Sequence, residues 1–201
     1  PPATEDVTKA YAYKTALALN ADYSMVSVSG YGIISGFTND GNKIPQQTIP
    51  QYYDKLGFSY NKFADSITVS ETEWDFERYK PDIIVINLGT NDMSYATTDE
   101  RKAEFEDGYL DFLKKVRSLN SDSYIFQTYG VMGTSLEENI ENVRRKYMSE
   151  TGDERITFIP LTMQNEDADG IVADWHPSPK THSLVSQKVT AAIKETLGYK
   201  K

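Results

Sequence analysis

Three short stretches of this chain hold residues able to do acid–base or oxyanion chemistry. The first is Val26-Ser27-Val28-Ser29-Gly30-Tyr31-Gly32, the second Asn87-Leu88-Gly89-Thr90-Asn91-Asp92, the third Asp174-Trp175-His176-Pro177. Taken singly, Gly30 is a turn glycine and Asn91-Asp92 a turn or a helix cap. His176 is one of two histidines, and an isolated histidine is more often structural than catalytic. Its setting between Trp175 and Pro177 argues otherwise, because proline biases the residue before it to an extended backbone and fixes the ring on a stiff loop. A general base needs that preorganisation and an ordinary pKa near neutrality. The second histidine, His182, reads as a solvated helix residue.

Along the chain, four helical patterns alternate with four short apolar strands. A helix over about Glu5 to Asn20 is followed by strand-like Met25–Ser29. Ile83-Ile84-Val85-Ile86-Asn87-Leu88 is apolar at successive positions, as in a parallel strand buried on both faces. A second helix places Phe105, Tyr109, Phe112 and Val116 on one face; strand Tyr124–Thr128 follows. A third helix aligns Leu136, Ile140, Val143 and Tyr147 ahead of strand Ile156–Ile159. The last helix begins after Pro177, with Ser178 as N-cap and Pro179 at its first position, and its stripe is Val185, Val189, Ala192 and Ile193. Such alternation predicts an α/β fold with an open sheet. Ligands bind such sheets beyond the carboxyl ends of the strands, where all three stretches fall.

Composition narrows the chemistry. The 201 residues suffice for one domain, and 39% hydrophobic with 25% charged is an ordinary globular mix. Thirty acidic residues against 21 basic ones disfavour nucleic acid as a partner. No apolar run is long enough for a membrane span. Cysteine is absent, which removes thiolate catalysis and zinc–thiolate or iron–sulfur sites; no metal or cofactor is expected. No G-x-G-x-x-G or P-loop is present, so a nucleotide-binding role is weak. The chain shows no signal peptide at its abrupt start, Pro1-Pro2-Ala3-Thr4, which suggests an opening inside a longer protein.

With these residues in view, the chain resembles the SGNH (GDSL-type) hydrolases. Gly89-Thr90-Asn91-Asp92 matches their G-x-N-D block, while Gly30 and His176 stand where the glycine of the second block and the histidine of the last belong. Val26–Gly32, Trp74-Asp75-Phe76, Val85–Asp92 and Asp174–Ser178 narrow the resemblance to carbohydrate esterase family two, the acetyl xylan esterase and sugar 6-O-deacetylase type. It implies a three-layer αβα, flavodoxin-like sheet and a serine esterase that removes O-acetyl groups from plant polysaccharides or oligosaccharides. By that resemblance His176 is the base, and the Gly30 N–H and Asn91 amide line the oxyanion hole. Fixed donors there are worth roughly 2.7–4 kcal/mol each. Trp175, Asp174, Tyr31 and Trp74 are the implied substrate-binding residues, and an extracellular or cell-surface location follows from the substrate class alone.

Two departures from the family pattern stand out. The acid expected three residues before the histidine is Ala173. Asp174 is two residues before it and displaced by ~6.5 Å on an extended segment. A Ser–His dyad whose histidine is oriented by a backbone carbonyl is therefore favoured, as the family-two resemblance implies, with a supporting role for Asp174 as the minority alternative. The nucleophilic G-D-S block is also missing. Ala64-Asp65-Ser66 lacks the glycine and reads as a surface loop, so Ser66 is a weak candidate, and Ser29 a weaker one because it competes with the oxyanion glycine.

That block closes the first, central strand of the family's 2-1-3-4-5 order. The expectation is that residues 1–201 are an N-terminally truncated esterase domain, with the central strand and the serine supplied by an upstream segment and a β-sandwich domain possible before it. The rival reading is a non-catalytic carbohydrate-binding module that keeps the pocket without the nucleophile. Tyr31, Tyr52, Tyr53, Phe58, Tyr60 and Trp74, in the irregular stretch from about Tyr31 to Lys80, would serve either.

Overall fold

The computed structural model describes residues 6–58, 62–63 and 66–199. They form two compact units: one gathers the chain up to Ser27, Thr128–Thr134 and the part from Ile159 onward, the other Val28–Gln127 and Ser135–Phe158.

In the first unit a 3-10 turn, Val7–Lys9, precedes α1, Tyr11–Leu19. The single helix expected from about Glu5 is thus broken at Ala10, whose backbone is extended. Asp6 accepts from Thr8 N and starts the turn; the Tyr11 N–H that would continue a helix goes instead to His182 Nδ1 at 3.3 Å. His182 is therefore not a solvated helix residue. It is half-buried, stacks on the Tyr11 ring at 6.1 Å, and caps α1 from the last helix. Burial, then the Lys14 charge, lowers its pKa.

The second unit holds a long irregular connection. It contains a two-residue antiparallel pair, β1 (Lys62–Phe63) with β2 (Ile67–Thr68), and bridges joining Gly32 to Thr48 and Lys55 to Glu73. Next come β3, Ile83–Ile86, and α2, Asp99–Leu119, which Thr98 caps by accepting from Arg101 N. β4 spans Tyr124–Tyr129, α3 Glu137–Thr151 and β5 Ile156–Pro160. α2 packs on α3 through the expected stripes; Phe105, Tyr109, Val116, Ile140 and Tyr147 have no exposed surface at all. Arg117 ties the helix end to the strand starts. It donates to Asn120 O, Ser123 O and Arg155 O and pairs with Asp153 at 2.7 Å.

The sheet is parallel and ordered β3-β4-β5, the last three strands of the expected order. Met25–Ser29 is not a strand; its residues carry no regular structure and Val26 is 71% exposed. A strand exists only through its ladder, and among the described residues none pairs with this segment. β3 also departs from expectation. It ends at Ile86 and is not buried on both faces, since Val85 is 38% exposed. It is an edge strand here, and β4 is the one buried between neighbours.

In the first unit the chain continues through α4, Glu166–Asp169, to α5, Pro179–Leu197. Ser178 caps α5 by accepting from Thr181 N at 3.2 Å, with Pro179 following. α1 lies on α5, where Lys14 Nζ reaches Ser183 Oγ at 2.6 Å and Thr15 meets Ser186. No described helix is long and apolar enough to cross a membrane.

Candidate active site

In the second unit, the end of β3 and the loop after Val28 are tied together by two neighbouring side chains. Asn91 Nδ2 donates one N–H to Tyr31 O at 2.7 Å, which fixes the amide plane and leaves its second N–H for another acceptor. Asp92 is fully buried. Its carboxylate accepts from Ile33 N at 2.8 Å, Ile34 N at 2.8 Å and Ser35 N at 3.1 Å. Burial holds this carboxyl above its ordinary range, and the three backbone N–H groups offset only part of that rise.

The loop takes this shape because of two glycines. Gly30 has φ +78°, where a side chain is strained, and Gly32 runs so close to Asp92 that an added Cβ would stand 2.4 Å from its Oδ2. Gly30 O accepts from Phe37 N; among the described residues its own N–H meets no backbone acceptor. The Gly30 N–H and the Asn91 amide are thus the kind of fixed, unspent donors an oxyanion requires.

Tyr31 extends this loop outward. Its ring lies 6.2 Å from that of Tyr52 and 6.1 Å from that of Phe58, forming a partly exposed aromatic group. Tyr53 is not part of it. It packs edge-on against Phe112 and takes a bond from Asn120, and burial pushes its hydroxyl up to about 12. Trp74 is 37% exposed. Ser66 is an exposed residue in the turn between β1 and β2, whereas Tyr60, Ala64 and Asp65 lie outside the described residues.

In the first unit, the stretch before α5 folds back on itself. Ile171 bridges Pro177, Val172 N donates to His176 O at 2.9 Å, and His176 N to Ala173 O at 3.2 Å. Inside this turn two successive non-glycine residues, Asp174 (φ 53°) and Trp175 (φ 62°), are left-handed. Each such residue costs roughly 1–2 kcal/mol, so the turn is held by its surroundings rather than by its own preference. His176 returns to the extended region, as Pro177 demands. Its Nδ1 sits 3.1 Å from Ala173 O. With the proton on Nδ1 and bound to that carbonyl, Nε2 keeps a lone pair. Trp175 presents its indole outward, 66% exposed.

Asn91, Tyr31 and Gly30 therefore assemble in one unit, and Asp174, Trp175 and His176 in the other. Sequence reasoning missed two residues. Asp92 belongs to a block already singled out, but its side chain reads as a turn former until the three N–H groups it gathers are seen. Gln164, whose Nε2 donates to Trp175 O at 2.8 Å, gives no signal in the sequence. Among the described residues no group of histidine and carboxylate side chains could hold a metal ion.

The parallel β3-β4-β5 sheet with helices alternating along the chain makes this an α/β protein. The GDSL-like lipase/acylhydrolase family model matches residues 6–184, and the chain belongs to that family. It is 31% identical to the cellulase/esterase CelE of Acetivibrio thermocellus over 98% of this chain and 23% of CelE. Among solved structures, the acetyl xylan esterase Est2A from the rumen bacterium Butyrivibrio proteoclasticus has a TM-score of 0.90 at 27% identity. It is matched over 100% of this chain and 58% of that one. A family two carbohydrate esterase from Clostridium thermocellum, solved with cellohexaose, has a TM-score of 0.81 at 30% identity over 100% and 57%. The chain thus spans under two thirds of the length of these relatives.

Proposed function

We propose that this chain supplies the base and the oxyanion donors of a carbohydrate O-acetyl esterase working by a serine–histidine dyad. The observation that carries this reading is the His176 ring, held at Nδ1 by a backbone carbonyl with Nε2 left to accept a proton. In the first step a serine hydroxyl attacks the acetyl carbonyl carbon as His176 Nε2 takes the hydroxyl proton. The carbonyl oxygen becomes an anion, which the Gly30 N–H and the second Asn91 amide N–H stabilise. The intermediate collapses, the C–O bond to the sugar breaks, and His176 returns the proton to the leaving sugar oxygen. Water, deprotonated by the same ring, then attacks the acyl carbon; the bond from that carbon to the serine oxygen breaks, acetate leaves, and His176 returns the proton to the serine oxygen. Asp174 has no place in the proton relay, because Ala173 O already occupies Nδ1.

The serine and a strand beside β3 come, in this reading, from a segment outside residues 1–201. Its support is that, among the described residues, β4 is the one strand paired with β3 in the sheet, and that the apolar Val85 is 38% exposed. Ser66, on an exposed hairpin turn, is the weaker alternative. The substrates are acetylated polysaccharides or oligosaccharides, met outside the cell where such polymers are found. Trp175 and Tyr31, with Trp74, offer the aromatic faces on which sugar rings pack. Support for the sugar comes from relatives described as acetyl xylan esterase and from the cellohexaose complex of one of them.

The test is acetate release from acetylated xylo-oligosaccharides, by this chain alone and by the chain preceded by its natural upstream sequence. The extended protein turns over and the chain alone does not. An inactive extended protein that still binds the sugar would favour the second reading, a carbohydrate-binding module, for which the exposed Trp175 is the specific support.

A further inference from the structure

The strain in the Asp174–Trp175 turn needs a restraint, and one side chain reaches it from outside. Gln164 Nε2 donates to Trp175 O at 2.8 Å. The acceptor is a carbonyl, so the amide's nitrogen end is the one facing the turn.

Gln164 is itself fixed to the sheet side of the unit. Its backbone N donates to Val131 O at 3.0 Å, and Leu161 N, three residues earlier, donates to Tyr129 O at 2.7 Å at the end of β4. Gly130 makes this junction tight, since a Cβ there would stand 2.1 Å from Leu161 O. Two backbone hydrogen bonds therefore anchor the Leu161–Gln164 segment to Tyr129 and Val131, and the Gln164 side chain carries that anchorage to the carbonyl immediately before His176. The remaining bonds of the turn, between Val172, Ala173 and His176, are local to it.

From this we infer that Gln164 is a positioning residue. It holds Trp175 in its left-handed conformation, so that the following His176 keeps Nδ1 on Ala173 O and Nε2 available as the base. Without the Gln164 donor, Trp175 relaxes to the negative φ that an L-residue prefers. The peptide that carries the His176 N–H then turns, and the ring loses its carbonyl partner. Orienting groups behind a catalytic histidine act in this indirect way. The inference rests on the role of His176 proposed above, and its test reads the ring directly rather than the turnover.

The experiment uses the whole chain uniformly labelled with nitrogen-15, so that backbone amides and imidazoles are both seen, and records the imidazole tautomers by NMR at about pH 8.5, where imidazoles are neutral. The two rings separate by chemistry, because His182 accepts at Nδ1 and carries its proton on Nε2, the opposite of His176. Gln164→Met and Gln164→Glu remove the donor; Gln164→Lys keeps an N–H donor of similar reach. The expected result is loss of the Nδ1–H form of His176 in the first two and its retention in Gln164→Lys, with His182 and the backbone amides elsewhere unchanged. Retention of the Nδ1–H form in either donorless variant overturns the inference. So does its loss in all three, or a general collapse of the spectrum, which would make Gln164 a packing residue. A turn that behaves as expected in a protein that proves not to be an esterase leaves the positioning intact and removes only the proposed chemistry.

Discussion

Asp92 gathers three backbone N–H groups on one buried carboxylate, and this is what shapes the Gly30–Ser35 loop. Asp92→Ala leaves those donors buried without an acceptor, and a loss of about 3–5 kcal/mol in urea unfolding is expected. A loss under 1 kcal/mol, on the order of a surface change, would show that the loop is held by something else. Trp175→Gly works in the opposite direction. Glycine relieves about 1–2 kcal/mol of left-handed strain and adds about 0.5–1 kcal/mol of unfolded-state entropy, while the exposed indole gives up little burial. Stability should rise by about 0.5–1 kcal/mol as sugar affinity falls, by denaturation and by titration calorimetry. A destabilised Trp175→Gly protein would mean that the indole is packed rather than presented.

At the scale of elements, the helices were plain in the sequence and the edge of the sheet was not. The stripes of α2, α3 and α5 reappear as buried faces because a helix buries every third or fourth residue regardless of its partner. Met25–Ser29 has the right residues for a strand and no ladder, and ladders are not written in a strand's own sequence. The break at Ala10 was hidden for a similar reason, since the group that intercepts the Tyr11 N–H is His182, 171 positions away.

That contact gives a pH dependence. Unfolded, the imidazole of His182 titrates near its ordinary pKa; folded, burial lowers it. The unfolded chain thus takes up a proton that the folded chain refuses. Stability is full above about pH 6.5 and is lost as pH falls through the lowered folded value. Thermal unfolding followed between about pH 8 and 5 should show this slope, and His182→Gln should flatten it; an unchanged slope would assign the effect elsewhere. In the other unit, Arg117→Ala takes one of two cations from half-buried Asp153, which keeps Arg155 Nε at 3.3 Å and the Tyr147 hydroxyl at 2.9 Å, and strips the donor from Ser123 O; urea unfolding should show a loss of about 1–3 kcal/mol.

For the whole molecule, the positions of Gly30, Asn91 and His176 in a turn, after β3 and before the last helix follow the sequence motifs, while their proposed roles rest on the family resemblance. Their support was not legible in the sequence: Ala173 contributes only a carbonyl, Gln164 is one amide among many, and the positive φ of Trp175 contradicts local preference. Strain of this kind is expected where function overrides propensity. The central claim is that His176 is the base acting on a serine from outside these residues. The most direct measurement compares acetate release from acetylated xylo-oligosaccharides by the upstream-extended protein with and without His176→Ala. A loss of about 10³-fold or more in kcat at similar sugar affinity is predicted. A rate within about tenfold of the unaltered protein, a size that general-base loss does not produce, would contradict it.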